Sequence, residues 1–84
     1  METTTFTEFL VECRKRRGLT AAECARRCGV IPSHWSHFEH GRKTPDEHVL
    51  YAMGKLFSVS MERLYVLAHP AKSDITRMRV WADA

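Results

Sequence analysis

Apolar residues recur at helical spacing from the start of the chain. Phe6, Phe9, Leu10 and Cys13 fall three or four residues apart, so residues 5–17 predict a first helix, closed by Gly18. Thr20-Ala21-Ala22-Glu23 is a capping box, in which the threonine hydroxyl accepts from a free amide and the glutamate reaches back. It opens a second helix through Cys28, and Gly29 supplies the left-handed residue that stops it. Ile31 or Pro32 starts a third helix, and Gly41 ends it. Thr44-Pro45-Asp46-Glu47 reads as another capping box, with proline at the first helical position, where its missing N–H costs nothing. The fourth helix then runs to about Phe57, with Leu50, Met53 and Phe57 on one face. Ser60 is placed to cap a short fifth helix through about Leu67.

Strand alternation is missing from residues 1 to 68, so these residues are expected to form one compact all-α domain of five helices. Pro70 then interrupts the pattern. Beyond it, Ile75, Met78 and Trp81 follow helical spacing and favour a helix from Ser73 or Asp74. Met78 and Val80 also alternate with Arg77 and Arg79 at strand spacing, so the form of the tail stays open. In either form the segment is too apolar to stand alone in water, and a second subunit is where it is expected to be buried. Residues 69–84 are therefore read as a C-terminal tail serving dimerisation, with Leu67, Ile75, Met78 and Trp81 as the contact residues.

Composition narrows the class. At 84 residues there is enough chain for one small core, and 44% hydrophobic with 27% charged residues is the balance of a folded domain. No apolar run approaches the roughly 20 residues that cross a bilayer. The first residues carry neither the basic start nor the apolar block of a secretory signal, so a cytoplasmic location is expected. Three cysteines, an odd number, then read as reduced thiols and not as a disulfide framework. The net charge is only +3, but residues 14–43 hold eight basic groups against two acidic ones, while the rest of the chain is acidic in balance. A basic middle suits a phosphate backbone on one face, as it also suits a solvated surface.

The candidate chemistry lies in residues 29–41, "GVIPSHWSHFEHG". At 100° per residue, Ile31, Trp35 and Phe38 share one face of the third helix. Ser33, Ser36, His37 and His40 centre on the opposite face, with His34 on the boundary. The aromatic residues are expected in the core and the serines and histidines at the surface. A metal site is not expected. Cys24, Cys28, His34 and His37 give C-x3-C-x5-H-x2-H, which lacks the longer gap between pairs that zinc fingers use. The two cysteines also sit one turn apart, with Ala25, on the face expected to be buried. No nucleophile motif and no glycine-rich phosphate loop is present, so neither an enzyme, a cofactor nor a small-molecule substrate is expected.

Residues 16–64 resemble the Cro/CI-type, lambda-repressor-like XRE family of helix-turn-helix domains. The resemblance is carried by Gly18-Leu19-Thr20 before the second helix, Glu23 and Ala25 within it, and Gly29-Val30 in the turn. Trp35 and Phe38 in the third helix, Glu39-x-Gly41-Arg42-Lys43-x-Pro45, Leu50, and Val59-Ser60 with Leu64 complete it. It implies a third helix lying in the major groove and a second crossing the DNA backbone above it. It further implies base reading by Pro32, Ser33 and His37, with Ser36 alongside. The phosphate contacts it implies are at Thr20, His40, Arg42, Lys43 and Thr44, and Arg26 and Arg27 add charge on the flank. Arg14 and Glu39 match an ion pair that ties the first helix to the third.

Three departures stand out: Ala21 replaces a glutamine, Ile31 stands at a usually polar N-cap, and Pro32 replaces a long polar reader. Proline at that position has no donor and is limited to a thymine methyl or to packing on sugar; His37 lacks arginine's bidentate fork. The expected function is a sequence-specific DNA-binding regulator: a repressor of phage, prophage or mobile-element type, bound to a palindromic operator as a homodimer. The alternative is the same fold used as a protein-interaction module, an antitoxin or an inhibitor of a host protein.

Overall fold

Threonine hydroxyls start the first two helices. In the computed structural model, which describes residues 5–69, Thr5 Oγ1 accepts from the Glu8 amide at 3.2 Å and Glu8 Oε1 accepts from the Thr5 amide at 3.2 Å. This box opens α1, Phe6–Arg16. The same exchange between Thr20 and Glu23, at 3.1 and 3.0 Å, opens α2, Ala21–Cys28. Ser60 Oγ accepts from the Arg63 amide at 3.1 Å and opens α5, Met61–Ala68. Each such cap contributes about 1 kcal/mol by satisfying an amide that has no partner within its helix.

The two remaining helices start differently from one another. Helix α3, Pro32–Glu39, has Ile31 as its N-cap, with no side-chain cap bond and proline in its first turn. Helix α4, Glu47–Phe57, is capped by Asp46, whose carboxylate accepts from the Val49 amide at 3.0 Å. The capping box expected at Thr44 therefore does not form, and Pro45 is not the first helical residue. Pro45 is instead fully buried just ahead of the cap. With Leu50, also buried, it occupies the pair of positions that a hydrophobic staple uses. Aspartate offers the stronger acceptor, and starting the helix there lets the proline ring leave water.

No strand occurs among the described residues, and the five helices form an all-α domain. Each helix contributes to one core: Leu10 from α1, Cys24, Ala25 and Cys28 from α2, Trp35 and Phe38 from α3, Leu50, Met53 and Phe57 from α4, and Leu64 from α5. Trp35 lies at its centre, edge-on to Phe38 at 6.2 Å and to Phe57 at 6.3 Å between ring centroids. Ile31 does not join this core. It is 56% exposed, because as the N-cap it has extended backbone and does not follow the helical phase of the residues behind it. The three cysteines are free, and burial, with a smaller contribution from Cys24, pushes the Cys28 thiol up to about 11. That is the chemistry of a core residue.

Helix α4 ends at Ser58, in left-handed conformation with φ of 57°, and the Val59 amide returns to the Gly54 carbonyl at 3.0 Å. This turn brings the Val59 carbonyl so close to Gly54 that a Cβ there would lie 2.7 Å from it. Gly54→Ala is therefore expected to destabilise the domain, although alanine is the better helix former. A loss of about 2 kcal/mol, roughly a 10 °C fall in Tm for a domain of this size, should appear in thermal unfolding followed by circular dichroism.

Candidate nucleic-acid interface

The α2–α3 unit is built by one turn of three residues. Gly29 adopts the left-handed region with φ of 75° and the Val30 amide closes onto the Ala25 carbonyl at 2.9 Å. Cys24, Ala25 and Cys28 bury one face of α2, and Trp35 and Phe38 bury one face of α3. The opposite faces of both helices are thereby left toward solvent.

Glu39, at the end of α3, is the hub that holds this unit to α1. Its Oε2 accepts from Arg14 Nε at 2.6 Å and from the Trp35 indole N–H at 2.7 Å, while Oε1 accepts from Arg14 Nη2 at 3.3 Å. Arg14 Nη1 donates in turn to the Leu19 carbonyl, at 3.2 Å, in the connection leading to α2. The side chains are 19% and 10% exposed, so the pair is largely shielded from water. The hydrogen bond that Arg14 donates to Glu39 raises the pKa of Arg14 above its ordinary value, outweighing burial, which acts the other way. Sequence reasoning paired Arg14 with Glu39 by resemblance but missed the indole donor and the Leu19 carbonyl. The four-residue spacing of Trp35 and Glu39 was the available signal for the first.

The surface of α3 carries the residues singled out as base readers. Pro32 and Ser33 are exposed, and Ser36 and His37 are half-buried. Among the described residues neither Ser33 nor His37 has a side-chain hydrogen-bond partner. His40 is exposed, and its Nδ1 lies 2.8 Å from the Ser36 carbonyl, with Ser36 Oγ at 3.4 Å. Since a carbonyl only accepts, Nδ1 carries the proton. The Nε2 of the neutral ring is then an acceptor, and His40 can donate to a phosphate only as imidazolium.

The expected phosphate-binding groups divide in two. Arg26, Arg27, Arg42, Lys43 and Thr44 are all exposed, and among the described residues none of the four cations has a carboxylate partner. The Lys43 ammonium lies 3.5 Å from His34 Nε2, a contact between the loop after α3 and that helix. Helical phase alone puts His34 on the boundary between the two faces of α3. Thr20 is different, because its hydroxyl and its amide are both engaged with Glu23 in the cap of α2. The amides that follow in the first helical turn, at Ala21 and Ala22, are the ones without a helical partner.

Of the residues expected to pair subunits, Leu67 is half-buried and lines a groove with Phe6, Phe38, Val66 and Ala68. Ile75, Met78 and Trp81 lie outside the described residues. Among those residues no cluster of three potential metal ligands occurs, and no helix is long and apolar enough to cross a membrane.

Removing one side of the Arg14–Glu39 pair strands a shielded charge. Glu39→Ala also leaves the Trp35 N–H buried without an acceptor. Each single alanine variant should lose about 3 kcal/mol in urea unfolding. The double variant should lose clearly less than their sum, which measures the coupling.

The model of the family described as helix-turn-helix domain matches residues 5–64. Among solved structures, that of the clp gene regulator ClgR from Corynebacterium glutamicum shares the fold, with a TM-score of 0.66 and 24% identity over 94% of this chain and 90% of that one. No curated protein sequence matches. With well over half of its length spanned by the family model, the chain belongs to the helix-turn-helix domain family, in its XRE type, a family of DNA-binding domains that serves transcription regulation.

Proposed function

We propose that this chain is a sequence-specific transcriptional repressor that binds a palindromic operator as a homodimer, in the manner of phage, prophage and mobile-element regulators. The observation that carries the reading is the arrangement around α3. Ser33 and His37, with no intramolecular side-chain partner among the described residues, are flanked along the chain by four exposed cations, Arg26 and Arg27 in α2 and Arg42 and Lys43 after α3. In a helix-turn-helix domain such cations meet phosphates on either side of the groove and set the register. The side chains between them then face base edges. Ser33 and Ser36 offer hydroxyls that donate or accept, and His37 can donate to guanine N7 or O6.

So few polar readers give one domain little selectivity, and pairing two domains on a palindrome adds their recognition. The groove beside Leu67 and the apolar residues of the tail, Ile75, Met78 and Trp81, are the surfaces that would join the subunits. Repression would be steric, by occupancy of an operator that overlaps a promoter.

The roles separate experimentally. In mobility shifts, Arg42→Ala and Lys43→Ala should weaken binding to every duplex alike and reduce the salt dependence by about one counterion each. His37→Ala should instead reduce preference among sequences, by about 1–3 kcal/mol, while leaving nonspecific affinity nearly intact. Equal behaviour of the two sets would remove the assignment of roles. Binding of a co-purifying protein with no DNA retardation would instead favour an interaction module. For assembly, sedimentation at micromolar concentration should give a dimer, and removal of residues 70–84 should give a monomer. A full-length monomer under those conditions would overturn the pairing.

A further inference from the structure

Ile31 breaks two local rules at once. It is the N-cap of α3, where serine, threonine, aspartate or asparagine would satisfy an unpartnered amide, and it caps nothing with its side chain. It is also 56% exposed, one of three large apolar side chains left in water among the described residues. The other two have neighbours that account for them: Lys55 lies 5.2 Å from the Tyr51 ring centroid, and Val66 lines the groove beside Leu67. What the fold takes from Ile31 is its backbone carbonyl, which accepts from the His34 and Trp35 amides at 3.0 and 3.2 Å. Any residue supplies that carbonyl. The isoleucine side chain neither caps the helix nor packs against the core, at a position where a polar residue would satisfy an amide.

We infer that Ile31 is a specificity residue that reads the 5-methyl group of thymine in the major groove, an inference that rests on the DNA-binding reading above. In a helix-turn-helix domain the N-terminal residues of the recognition helix are those that meet base edges. Here that end is Ile31 followed by exposed Pro32, two side chains with no hydrogen-bond donor or acceptor. The thymine methyl is the one apolar group on the major-groove edges of the four base pairs. Cytosine, the other pyrimidine, presents an amino group in the same region, and covering it with isoleucine would leave that donor unpaired. Selection therefore comes from contact with thymine and from the cost of the alternative. The cations Arg26, Arg27, Arg42 and Lys43 supply the attraction for phosphate that brings this apolar tip against the duplex.

The test uses the full chain and a randomised duplex pool from which the protein enriches its own site. The enriched duplex is resynthesised with deoxyuridine replacing thymidine at one position at a time, which deletes a single methyl and keeps every hydrogen-bonding group. At one thymine in each half-site, loss of the methyl should weaken binding about four-fold, the transfer value of one buried carbon. Ile31→Ser should bind thymine and uracil versions equally at that position. Its Tm should be unchanged or higher, because serine caps the helix. Uracil equal to thymine at every position, or a serine variant that still discriminates, overturns the inference while leaving DNA binding intact. A pool from which nothing is enriched or retained overturns the DNA-binding reading itself.

Discussion

The geometry of this domain depends on one carboxylate. Glu39 receives the guanidinium of Arg14 and the indole N–H of Trp35, so a single side chain joins the last turn of α1, the centre of the core and the end of α3. Trp35 is the largest fully buried residue, and its ring is oriented by that hydrogen bond as well as by the edges of Phe38 and Phe57. Because Arg14 also holds the Leu19 carbonyl, the connection into α2 is set by the same network. A low local dielectric strengthens each of these bonds and makes the loss of any one costly, which is how a short helix of eight residues keeps a defined orientation.

That orientation decides which side chains of α3 meet a ligand. With Trp35 and Phe38 turned inward, Ser33, Ser36, His37 and His40 are turned outward. The cations needed to approach a polyanion stand on the flanking elements and not on α3 itself. The recognition surface is thus divided between attraction at its rim and selection at its centre, a division the wider helix-turn-helix architecture permits. An apolar N-terminal tip on α3 extends the selective part beyond hydrogen bonding. It puts methyl groups, and not only donors and acceptors, among the features that can be read.

Much of this was legible along the chain. The boundaries of α1, α2 and α5 follow from apolar spacing and from capping residues, since both are local properties: Thr20 and Glu23 exchange their hydrogen bonds within a single turn. The assignment of Trp35 and Phe38 to the core rested on helical phase and agrees with their burial. Phase failed at Ile31, because the N-cap is the first residue outside the helix and its side chain does not follow the periodicity behind it. It failed in a different way at Thr44-Pro45-Asp46-Glu47. Two capping residues two positions apart satisfy the same local rule, and burial of the Pro45 ring chose between them.

By itself, the sequence determined the all-α class and the five helices of the described residues, with the turn between α2 and α3, because hydrophobic period, capping chemistry and the glycine at position 29 act over a few residues. It also determined where the positive charge is concentrated. Tertiary structure decided which of those groups are available. It engaged Thr20 with Glu23, fixed the tautomer of His40 against Ser36, drew Lys43 toward His34 and left Ile31 in water. Availability is set by neighbours from other turns and other helices, which local pattern does not contain. Only packing could show that Ile31, which helical phase puts on the same face as Trp35 and Phe38, stands exposed at the tip of the recognition helix.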